Sequence, residues 1–462
     1  MAAVDDHLDA RVVPVVVAHA REQLLLQFAR DNAVDHAARI PGFGGGSDYA
    51  RPKMAVPSAL ECLRCRRRYP VVSMPGGCPS CSAEGAPSNA TPVYARMAAV
   101  KPGKLTGRGI TRYLTQLPIS RDGVVSLGEG DTPLLAAGSL GSELGLRRLF
   151  VKDERRNPTG SWRDRFSALA ISAIDDPSTT VATAGDDALA VSIAAYAARA
   201  GLRSVSLVDL AVGVRVRDAI EAVGGRVVGV RAGEGRWPLL ADAERTLGWR
   251  AVSNRSSPPI GSDPLAVEGY RTIAFEIAEQ LRFTAPDLVI APAGLGDGVQ
   301  GIWRGLRELV AWGVIDRIPR MVAVELSGAV ASALASGNDW VAPSSPLESP
   351  ARSLAGVTGT VQTLQAVVES EGLVVRVSDA ELEQAQMLLG EHEGIWVDLA
   401  GAAPIAAAAK LASRGDVPAR TLIVAVAPSG GVLDEGATAP GELETVESGV
   451  DELLRVLAVR GE

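Results

Sequence analysis

Strand-like and helix-like segments alternate along most of this chain, beginning near Val124. Each apolar run of strand length is followed by a longer, alanine-rich stretch of helical character. Strands that alternate with helices in this way are typical of parallel, doubly wound sheets. The pattern occurs in two series, which predict two α/β lobes with a cleft between them. The first series contains LRRLFVKDE, TTVATAG, RSVSLVDL and RVVGVRAG, and the second contains DLVIAPAG, RMVAVEL and TLIVAVAPSGG.

A length of 462 residues is too great for one ordinary core, and a hydrophobic content of 47% is ample for burial. We therefore expect several units along the chain. They are an N-terminal extension over residues 1–50, a cysteine-containing ribbon and linker over 51–100, a core of two interleaved α/β lobes over 101–435, and an acidic tail with a helix over 436–462.

The charge and the hydropathy of the chain exclude several classes of partner. A formal net charge of -8 and a pI near 5.3 give no general attraction to nucleic acid or to anionic membranes. The first residues are acidic where a signal peptide needs positive charge, and no apolar run reaches the roughly 18 residues of a membrane span. We expect a cytoplasmic protein that binds small molecules or other proteins. Abundant Ala, Arg and Val beside only five lysines are typical of a GC-rich bacterial genome.

All four cysteines lie in one cluster, as two CxxC pairs: Cys62 with Cys65, and Cys78 with Cys81. In a reducing cytosol this pattern favours a metal site. Two such turns can complete a tetrahedral Zn²⁺ shell, and a closed shell of four thiolates leaves no position for a substrate. We therefore predict structural zinc, with disulfides or unligated thiols as the alternatives.

Several motifs, in a fixed order, resemble those of threonine synthase-like proteins. This family belongs to the fold-type II, tryptophan synthase β-like superfamily of pyridoxal phosphate enzymes. The resemblance covers about Val124 to Asp434, and it implies the two-lobed fold already expected from the alternation. A ribbon of the predicted kind often precedes the lobes in this family. The motifs that carry the resemblance are LGEGDTPL at 127–134, VKDE at 151–154, NPTGSWRDR at 157–165, PAGLGDG at 292–298, GIWVDLAGA at 394–402 and PSGG at 428–431.

Arg163 stands where the family pattern SFKDR has its Schiff-base lysine. An imine needs a neutral primary amine, whereas a guanidinium stays charged at physiological pH. The resemblance thus implies that pyridoxal phosphate is absent or not covalently bound. Lys152 is a fallback for an imine, but the family commonly has a lysine there as well. Its more ordinary role is to pair with a nearby acid such as Glu154.

The other cofactor contacts implied by the resemblance are altered too. Gly294, Gly296 and Gly298 can still form a phosphate-binding turn before a helix. Asp297, however, brings a carboxylate into that turn. Asp186 occupies the region in which the family has an asparagine that binds the ring oxygen, and ionised aspartate cannot donate a hydrogen bond. Ser429 retains the residue type that usually meets the pyridine nitrogen, although an ordinary turn residue is an equal alternative.

Two hypotheses for function follow. In the first, the protein is a non-catalytic or cofactor-free relative of threonine synthase, acting as a partner subunit or as a binder of a small carboxylate or phosphate. In the second, it is an enzyme of amino acid metabolism: a pyridoxal phosphate-dependent lyase or synthase, or a repurposed enzyme that uses the remodelled cleft. The first is favoured because no general base or nucleophile replaces the lysine. A homodimer is expected. Arg163 would pair with Asp186 or Asp297 if the cleft has closed on itself.

Overall fold

A computed structural model describes residues 55–72, 74, 76–100, 105–119, 123–185, 187–231, 235–344, 347–355 and 359–434. The predicted N-terminal extension, the acidic tail and Asp186 lie outside the described residues.

The cysteine-containing segment forms a three-stranded antiparallel sheet in the order β2-β1-β3. A short helix, α1, follows the second CxxC pair. The elements are β1 (Pro57–Cys62), β2 (Arg68–Tyr69), α1 (Pro79–Ala83) and β3 (Ala90–Tyr94).

The larger α/β lobe contains a six-stranded sheet in the order β12-β11-β10-β13-β5-β4. Its central strands are continuous apolar runs with every residue buried, as expected where helices cover both faces of a sheet. The edge strand β4 is antiparallel to β5, which the alternation did not predict. The strands are β4 (Leu134–Ala136), β5 (Arg148–Asp153), β10 (Leu288–Pro292), β11 (Arg320–Glu325), β12 (Leu373–Arg376) and β13 (Leu422–Ala427).

The smaller lobe contains a four-stranded parallel sheet in the order β8-β7-β6-β9. Its strands are β6 (Thr180–Thr183), β7 (Arg203–Asp209), β8 (Arg226–Val230) and β9 (Arg250–Ala251). The helices within and before it are α2 (Gly138–Glu143), α3 (Arg163–Ser172), α4 (Ala188–Arg199), α5 (Val214–Ala222) and α6 (Arg236–Leu247).

The remaining helices return the chain to the larger lobe. Helix α13 illustrates how local sequence sets their bounds, because Ser378 and Glu381 form a capping box at its start and Gly394 ends it with a left-handed φ of 66°. The helices are α7 (Pro264–Val267), α8 (Arg271–Gln280), α9 (Asp297–Ala311), α10 (Ala329–Ala335), α11 (Arg352–Ala355), α12 (Val361–Glu369), α13 (Asp379–Glu393) and α14 (Leu399–Ser413).

Helices α8 and α9 pack closely because glycines face the contact. A Cβ at Gly301 would lie 2.4 Å from the Cβ of Tyr270, and one at Gly305 would lie 2.6 Å from the backbone oxygen of Arg271. This approach fixes Tyr270 beneath the start of α3, where it takes part in the cleft.

The structure confirms the predicted fold class, with two parallel-sheet lobes of the α/β type. Strand β12 and helices α12 to α14 were not singled out from the sequence. Helix α14 has Pro404 in its interior, a residue that usually ends a helix, so its pattern is a poor helix signal despite its many alanines. Among the described residues, we find no helix whose length and apolar character would suffice for a membrane span.

Candidate ligand-binding cleft

The cleft forms where three neighbouring parallel strands end. Strand β13 pairs with β10 on one side and with β5 on the other, so the segments that follow these strands emerge at the same edge of the sheet. Such an edge is the usual place for ligands in open α/β sheets. The segment after β5 also bridges to the one after β13, since Ser161 pairs with Ser429 and the Trp162 N–H donates to Pro428 O at 2.7 Å.

Arg163 is the first residue of α3 and points toward the N-terminus of α4. Its Nη2 lies 3.4 Å from Oδ2 of Asp187, a long contact, and its side chain is 19% exposed. Burial alone would lower the pKa of Arg163. Tyr270, Asp187 and Asp297 outweigh that effect and raise the pKa above its ordinary value, so the guanidinium remains charged.

Of the two acids predicted to pair with Arg163, Asp297 forms no ion pair with it, and Asp186 is not among the described residues. The acid in contact is Asp187, the N-cap of α4, which also accepts the Leu189 N–H at 2.9 Å. Asp297 acts on Arg163 through its charge, without an ion pair in the structure. The sequence prediction named Asp186 because the turn was aligned with the family motif, and Asp186 itself lies outside the described residues.

The glycine turn leads directly into helix α9. Gly294 and Gly296 have φ of 47° and 84°, in the left-handed region that favours glycine, and Gly296 is the N-cap of the helix. Gly298 lies against the indole of Trp162, where a Cβ would be 2.3 Å from the ring. The structure thus places Gly298 next to Trp162, the residue that precedes Arg163.

Asp297 is held in place by groups of the protein itself. It is 2% exposed at the first position of α9, where the helix dipole stabilises a negative charge. Its Oδ1 accepts hydrogen bonds from the Ser262 N–H at 3.1 Å and from Nε2 of Gln362 at 2.8 Å. Its Oδ2 is buried and has no hydrogen-bond partner among the described residues. Oδ1 of Asp297 is therefore held by two donors of the protein, whereas Oδ2 has no donor among the described residues.

Ser429 is engaged by an acid that the sequence reasoning did not select. Its hydroxyl donates to Oδ2 of Asp398 at 2.6 Å, and Oδ1 of Asp398 accepts the Gly401 N–H at 2.6 Å as the N-cap of α14. Burial raises the pKa of Asp398 to about 6. The position of an aspartate directly before the helical run LAGAA was the available signal for this cap.

Lys152 lies in a separate buried cluster and is fully satisfied there. Its three N–H donors meet Thr132 O at 2.7 Å, Glu276 Oε2 at 2.7 Å and Gln280 Oε1 at 3.0 Å. Burial lowers the pKa of this lysine, and Glu276 counteracts the effect. The suggested partner was Glu154, but that carboxylate is bound by Arg165 instead, at 2.8 and 2.9 Å.

The four cysteine sulfurs form a compact group. All four Sγ atoms lie within 4.8 Å of one another, and the pairs Cys62–Cys81 and Cys65–Cys78 are each 3.6 Å apart. A Zn²⁺ with Zn–S bonds of about 2.3 Å requires sulfur atoms separated by about 3.8 Å. The observed spacing therefore fits a tetrahedral metal site, and none of the four forms a disulfide.

The ribbon also contacts the glycine turn. Nδ2 of Asn89 donates to Ser262 O at 2.9 Å and lies 3.4 Å from Oε1 of Gln362. Gln362 in turn donates to Asp297 and to Leu295 O, the latter at 3.0 Å. A short chain of polar contacts thus connects the sheet that carries the cysteines to the turn that begins α9.

Comparisons with known proteins agree with this architecture. The profile of a family described as "Pyridoxal-phosphate dependent enzyme" matches residues 125–429. A threonine synthase of Methanocaldococcus jannaschii is 31% identical over 360 residues, which span 76% of this chain and 87% of that protein. A threonine synthase of Synechocystis is 30% identical over 380 residues, which span 80% of this chain and 94% of that protein.

Solved structures show the same fold. Threonine deaminase isoform 2 from Solanum lycopersicum superposes with a TM-score of 0.57 at 20% identity, covering 79% of this chain and all of that one. Maize serine racemase superposes with a TM-score of 0.56 at 20% identity, covering 71% and 92% of the two chains. At this level of identity the likeness concerns the fold.

Proposed function

This chain belongs to the pyridoxal-phosphate dependent enzyme family, and we propose that it is a member that does not use the cofactor covalently. In this proposal it is a cofactor-free, non-catalytic relative of threonine synthase that binds a small anion in the cleft or acts as a partner subunit. The observation that carries the proposal is the buried carboxylate of Asp297 in the glycine turn, held by the protein's own donors.

The residues of the cleft do not fit a cofactor attached through an imine. Arg163 stands at the start of α3 with a charged guanidinium, which cannot form one. Of the lysines in the described part of the chain, Lys152 has all three donors bound in a buried cluster. Lys410 binds Glu381 at 2.8 Å and Arg376 O at 2.9 Å, away from the cleft.

The glycine turn fits a phosphate ester poorly. A helix N-terminus attracts an anion through unpaired N–H groups and the helix dipole. In this chain Asp297 already supplies a negative charge at that helix end. A phosphate with two negative charges would meet a buried like charge, at a cost on the order of 1 kcal/mol or more.

The remaining charges of the cleft favour a small monocarboxylate as its ligand. The ion pair of Arg163 with Asp187 is long, at 3.4 Å. The planar guanidinium of Arg163 can therefore still donate two parallel hydrogen bonds to the carboxylate of a ligand. Asp187 and Asp297 act on Arg163 through their charges, and these acids disfavour a doubly charged ligand more than a singly charged one.

The similarity of this chain to threonine synthases favours a second candidate function. Proteins named threonine synthase are about 30% identical over most of this chain. In this alternative the protein is a lyase or synthase of amino acid metabolism that holds pyridoxal phosphate noncovalently or runs another reaction in the cleft. None of the described cleft residues supplies a replacement amine, which is why we place this candidate second.

Visible absorption and borohydride reduction together separate a cofactor-free protein from one that holds pyridoxal phosphate, because noncovalently held cofactor keeps a visible band after gel filtration and only an imine leaves an adduct. The protein would be purified with pyridoxal phosphate present, reduced and mapped by peptide mass spectrometry, with a lysine-containing threonine synthase treated in parallel. We expect no phosphopyridoxyl adduct and no visible absorption band. A stoichiometric adduct on Lys152 or on any other lysine would overturn the proposal.

Binding of a ligand needs its own measurement. We expect some small carboxylate, in a thermal-shift screen of amino acids and phosphorylated metabolites, to raise the melting temperature. Arg163→Ala should abolish that shift, whereas Lys410→Ala, a lysine outside the cleft, should preserve it. A screen in which no compound stabilises the protein would leave only the partner-subunit form of the proposal, in which case a complex should be detectable by light scattering beyond the expected homodimer.

We also propose that the ribbon binds one structural Zn²⁺ through its four cysteines. The support is the spacing of the four sulfur atoms and the burial of Cys62, Cys78 and Cys81. Because a site of this kind folds with its metal, Cys65→Ser should loosen the ribbon and speed its proteolysis. Elemental analysis that finds no stoichiometric zinc in metal-replete protein would refute this assignment.

A further inference from the structure

Two consecutive residues of the ribbon, Ser88 and Asn89, are held by both CxxC turns. The Cys78 N–H, at the start of the second pair, donates to Ser88 O at 2.8 Å. The Leu63 N–H, directly after Cys62 of the first pair, donates to Asn89 O at 3.1 Å. If one Zn²⁺ joins the four cysteines, the two turns are fixed relative to each other, and the backbone of Asn89 is fixed between them.

The side chain of Asn89 connects the ribbon to the segments around the glycine turn. Its Oδ1 accepts the Ala90 N–H at 2.9 Å, which sets the orientation of the amide. Its Nδ2 donates to Ser262 O at 2.9 Å and lies 3.4 Å from Oε1 of Gln362. Asn89 is 3% exposed, so water competes little for these contacts.

The two residues that Asn89 contacts are the same two that hold Asp297. Ser262 donates its N–H to Oδ1 of Asp297 at 3.1 Å, and Nε2 of Gln362 donates to the same oxygen at 2.8 Å. Asn89 therefore lies one step behind both donors of this carboxylate. A residue in such a place orients the donors, as the outer partners of metal ligands orient the ligands themselves.

Gly261 shows how closely these groups approach one another. Its φ is 113°, in the region that favours glycine. A Cβ there would lie 2.3 Å from Nε2 of Gln362, 2.8 Å from Oδ1 of Asp297 and 2.9 Å from Nδ2 of Asn89. The two amides and the carboxylate thus converge on one point. In so dense a cluster, a shift of Asn89 moves its neighbours as well.

Two further ties between the ribbon and the larger lobe end elsewhere. Arg64 binds Asp339, after α10, at 3.0 Å, and Arg66 binds Glu369 at 2.9 Å. Glu369 is the last residue of α12, about 10 Å along the helix from Gln362. Both ion pairs are partly exposed, and pairs of this kind contribute little. Asp339 is therefore a suitable site for a control variant.

We propose that occupancy of the metal site in the ribbon regulates the cleft, with Asn89 as the positioning residue between the metal site and Asp297. In the zinc-bound protein the CxxC turns hold Asn89, and Asn89 holds both donors of the Asp297 carboxylate. In the zinc-free protein the turns separate, and Ser262, Gln362 and the glycine turn loosen together. This inference rests on the proposed zinc assignment and concerns the cleft of the proposed function, but it requires no ligand.

Hydrogen–deuterium exchange of the full-length protein tests the proposal. The Ser262 amide, which donates to Asp297, and the Gln300 amide, which donates to Gly296 O, report on the glycine turn. Strand β10 is the internal reference. We expect that removal of zinc with a chelator speeds exchange of both amides about tenfold, leaves β10 unchanged and is reversed when zinc is restored.

Three variants locate the coupling, each checked for stoichiometric zinc by elemental analysis. Asn89→Asp keeps the shape of the side chain but removes its N–H donors, so the zinc-bound variant should exchange both amides about fivefold faster than the wild-type protein. Removal of zinc should then add less than about twofold. Asn89→Ala should behave in the same way. Asp339→Ala breaks the contact with Arg64 and should keep the full response to zinc.

Several results would overturn the proposal. They are equal exchange of the glycine turn with and without zinc, a response that extends to β10, a full response in both Asn89 variants, loss of zinc from those variants, and loss of the response in Asp339→Ala. Failure of the ligand screen would leave this proposal standing, because exchange is measured without a ligand. Absence of zinc from the wild-type protein would refute the metal assignment and this proposal together.

Discussion

Arg163 and Arg165 lie two residues apart at the start of helix α3, yet their surroundings differ sharply. Arg165 is fully buried and donates six hydrogen bonds, to Glu154, Glu276, Thr132 and Thr272. Arg163 has one ion-pair contact, at 3.4 Å, and lies close to the Tyr270 hydroxyl. The acid next to it across the cleft, Asp297, retains a buried oxygen without a partner in the described chain.

Arg165 therefore has a structural role, whereas Arg163 retains hydrogen-bonding capacity that a ligand could use. Around Arg165, two acids and two bases satisfy one another, so nothing is left for a ligand. Around Arg163, donors and acceptors are incompletely matched, as expected where a site is completed by something else. Four sets of variants test this difference between the two arginines and their surroundings.

The largest expected effect is on the cluster of Arg165. Glu276→Ala removes the acid shared by Arg165 and Lys152 and leaves two buried cations without it, so we expect a loss of about 3–5 kcal/mol in the free energy of unfolding. Asp187→Asn, the corresponding change at Arg163, keeps the helix cap and should cost less than about 1 kcal/mol. Urea denaturation measures both, and equal losses would contradict the contrast.

The two arginines should also differ in their tolerance of lysine. Arg165→Lys replaces a fork with six hydrogen bonds by a group with three donors, and we expect a loss of about 2–4 kcal/mol. Arg163→Lys gives up one long contact and should change the free energy of unfolding by less than about 1 kcal/mol. If Arg163→Lys proved the more damaging variant in the same denaturation experiment, the cleft would be structural.

An acid of the Arg165 cluster and an acid of the cleft should give the free energy of unfolding opposite pH dependences. Arg165 and Lys152 overcome the effect of burial and lower the pKa of Glu276, so its stabilising effect is present above the ordinary value of 4.5 and is lost as the pH falls below it. Burial raises the pKa of Asp398 from 3.8 to about 6, so the native state binds more protons and stability falls as the pH rises between about 4 and 6.

Asp398→Asn tests this sign. Between pH 4 and 7 the free energy of unfolding should fall less in this variant than in the wild-type protein. The two should differ by about 1–3 kcal/mol at pH 7. Asp164, whose pKa burial also raises to about 6, contributes a fall of the same sign in both proteins and cancels in the difference. Identical pH profiles of unfolding for the two proteins would contradict the assignment.

The smallest effect concerns two threonines. The hydroxyl of Thr132 donates to Glu154 at 2.6 Å and accepts from Arg165 at 3.1 Å, so Thr132→Val should cost about 1–3 kcal/mol. The hydroxyl of Thr363 is buried beside Gly296 without a partner among the described residues, so Thr363→Val should be neutral or slightly stabilising. A large loss from Thr363→Val would show that its hydroxyl has a partner in solution.

The features that the sequence predicted are those set by local patterns. The alternation of strands and helices gave the two lobes, the paired CxxC turns brought the cysteines together, and the glycine turn lies at a helix N-terminus as expected. The motifs after β5, β10 and β13 meet because parallel neighbouring strands end at one edge.

Contacts between distant segments could not be predicted in this way. Glu276 binds Lys152 from 124 residues away, and nothing in the sequence near either residue indicates the pair. The hydrogen bond between Asp398 and Ser429 likewise depends on how the two segments approach at the sheet edge. Asp187, which the sequence reasoning did not select, contacts Arg163 because it lies at the N-cap of α4.

We propose that the acid in the glycine turn, and not only the arginine at position 163, disfavours pyridoxal phosphate. The most direct test compares Arg163→Lys with the triple variant Arg163→Lys, Asp186→Asn and Asp297→Gly. Both would be incubated with the cofactor, recorded by visible absorption, reduced with borohydride and mapped. We expect the single variant to give no stable band and no adduct, and the triple variant to give both at the introduced lysine. A stable, stoichiometric adduct in the single variant would contradict the account.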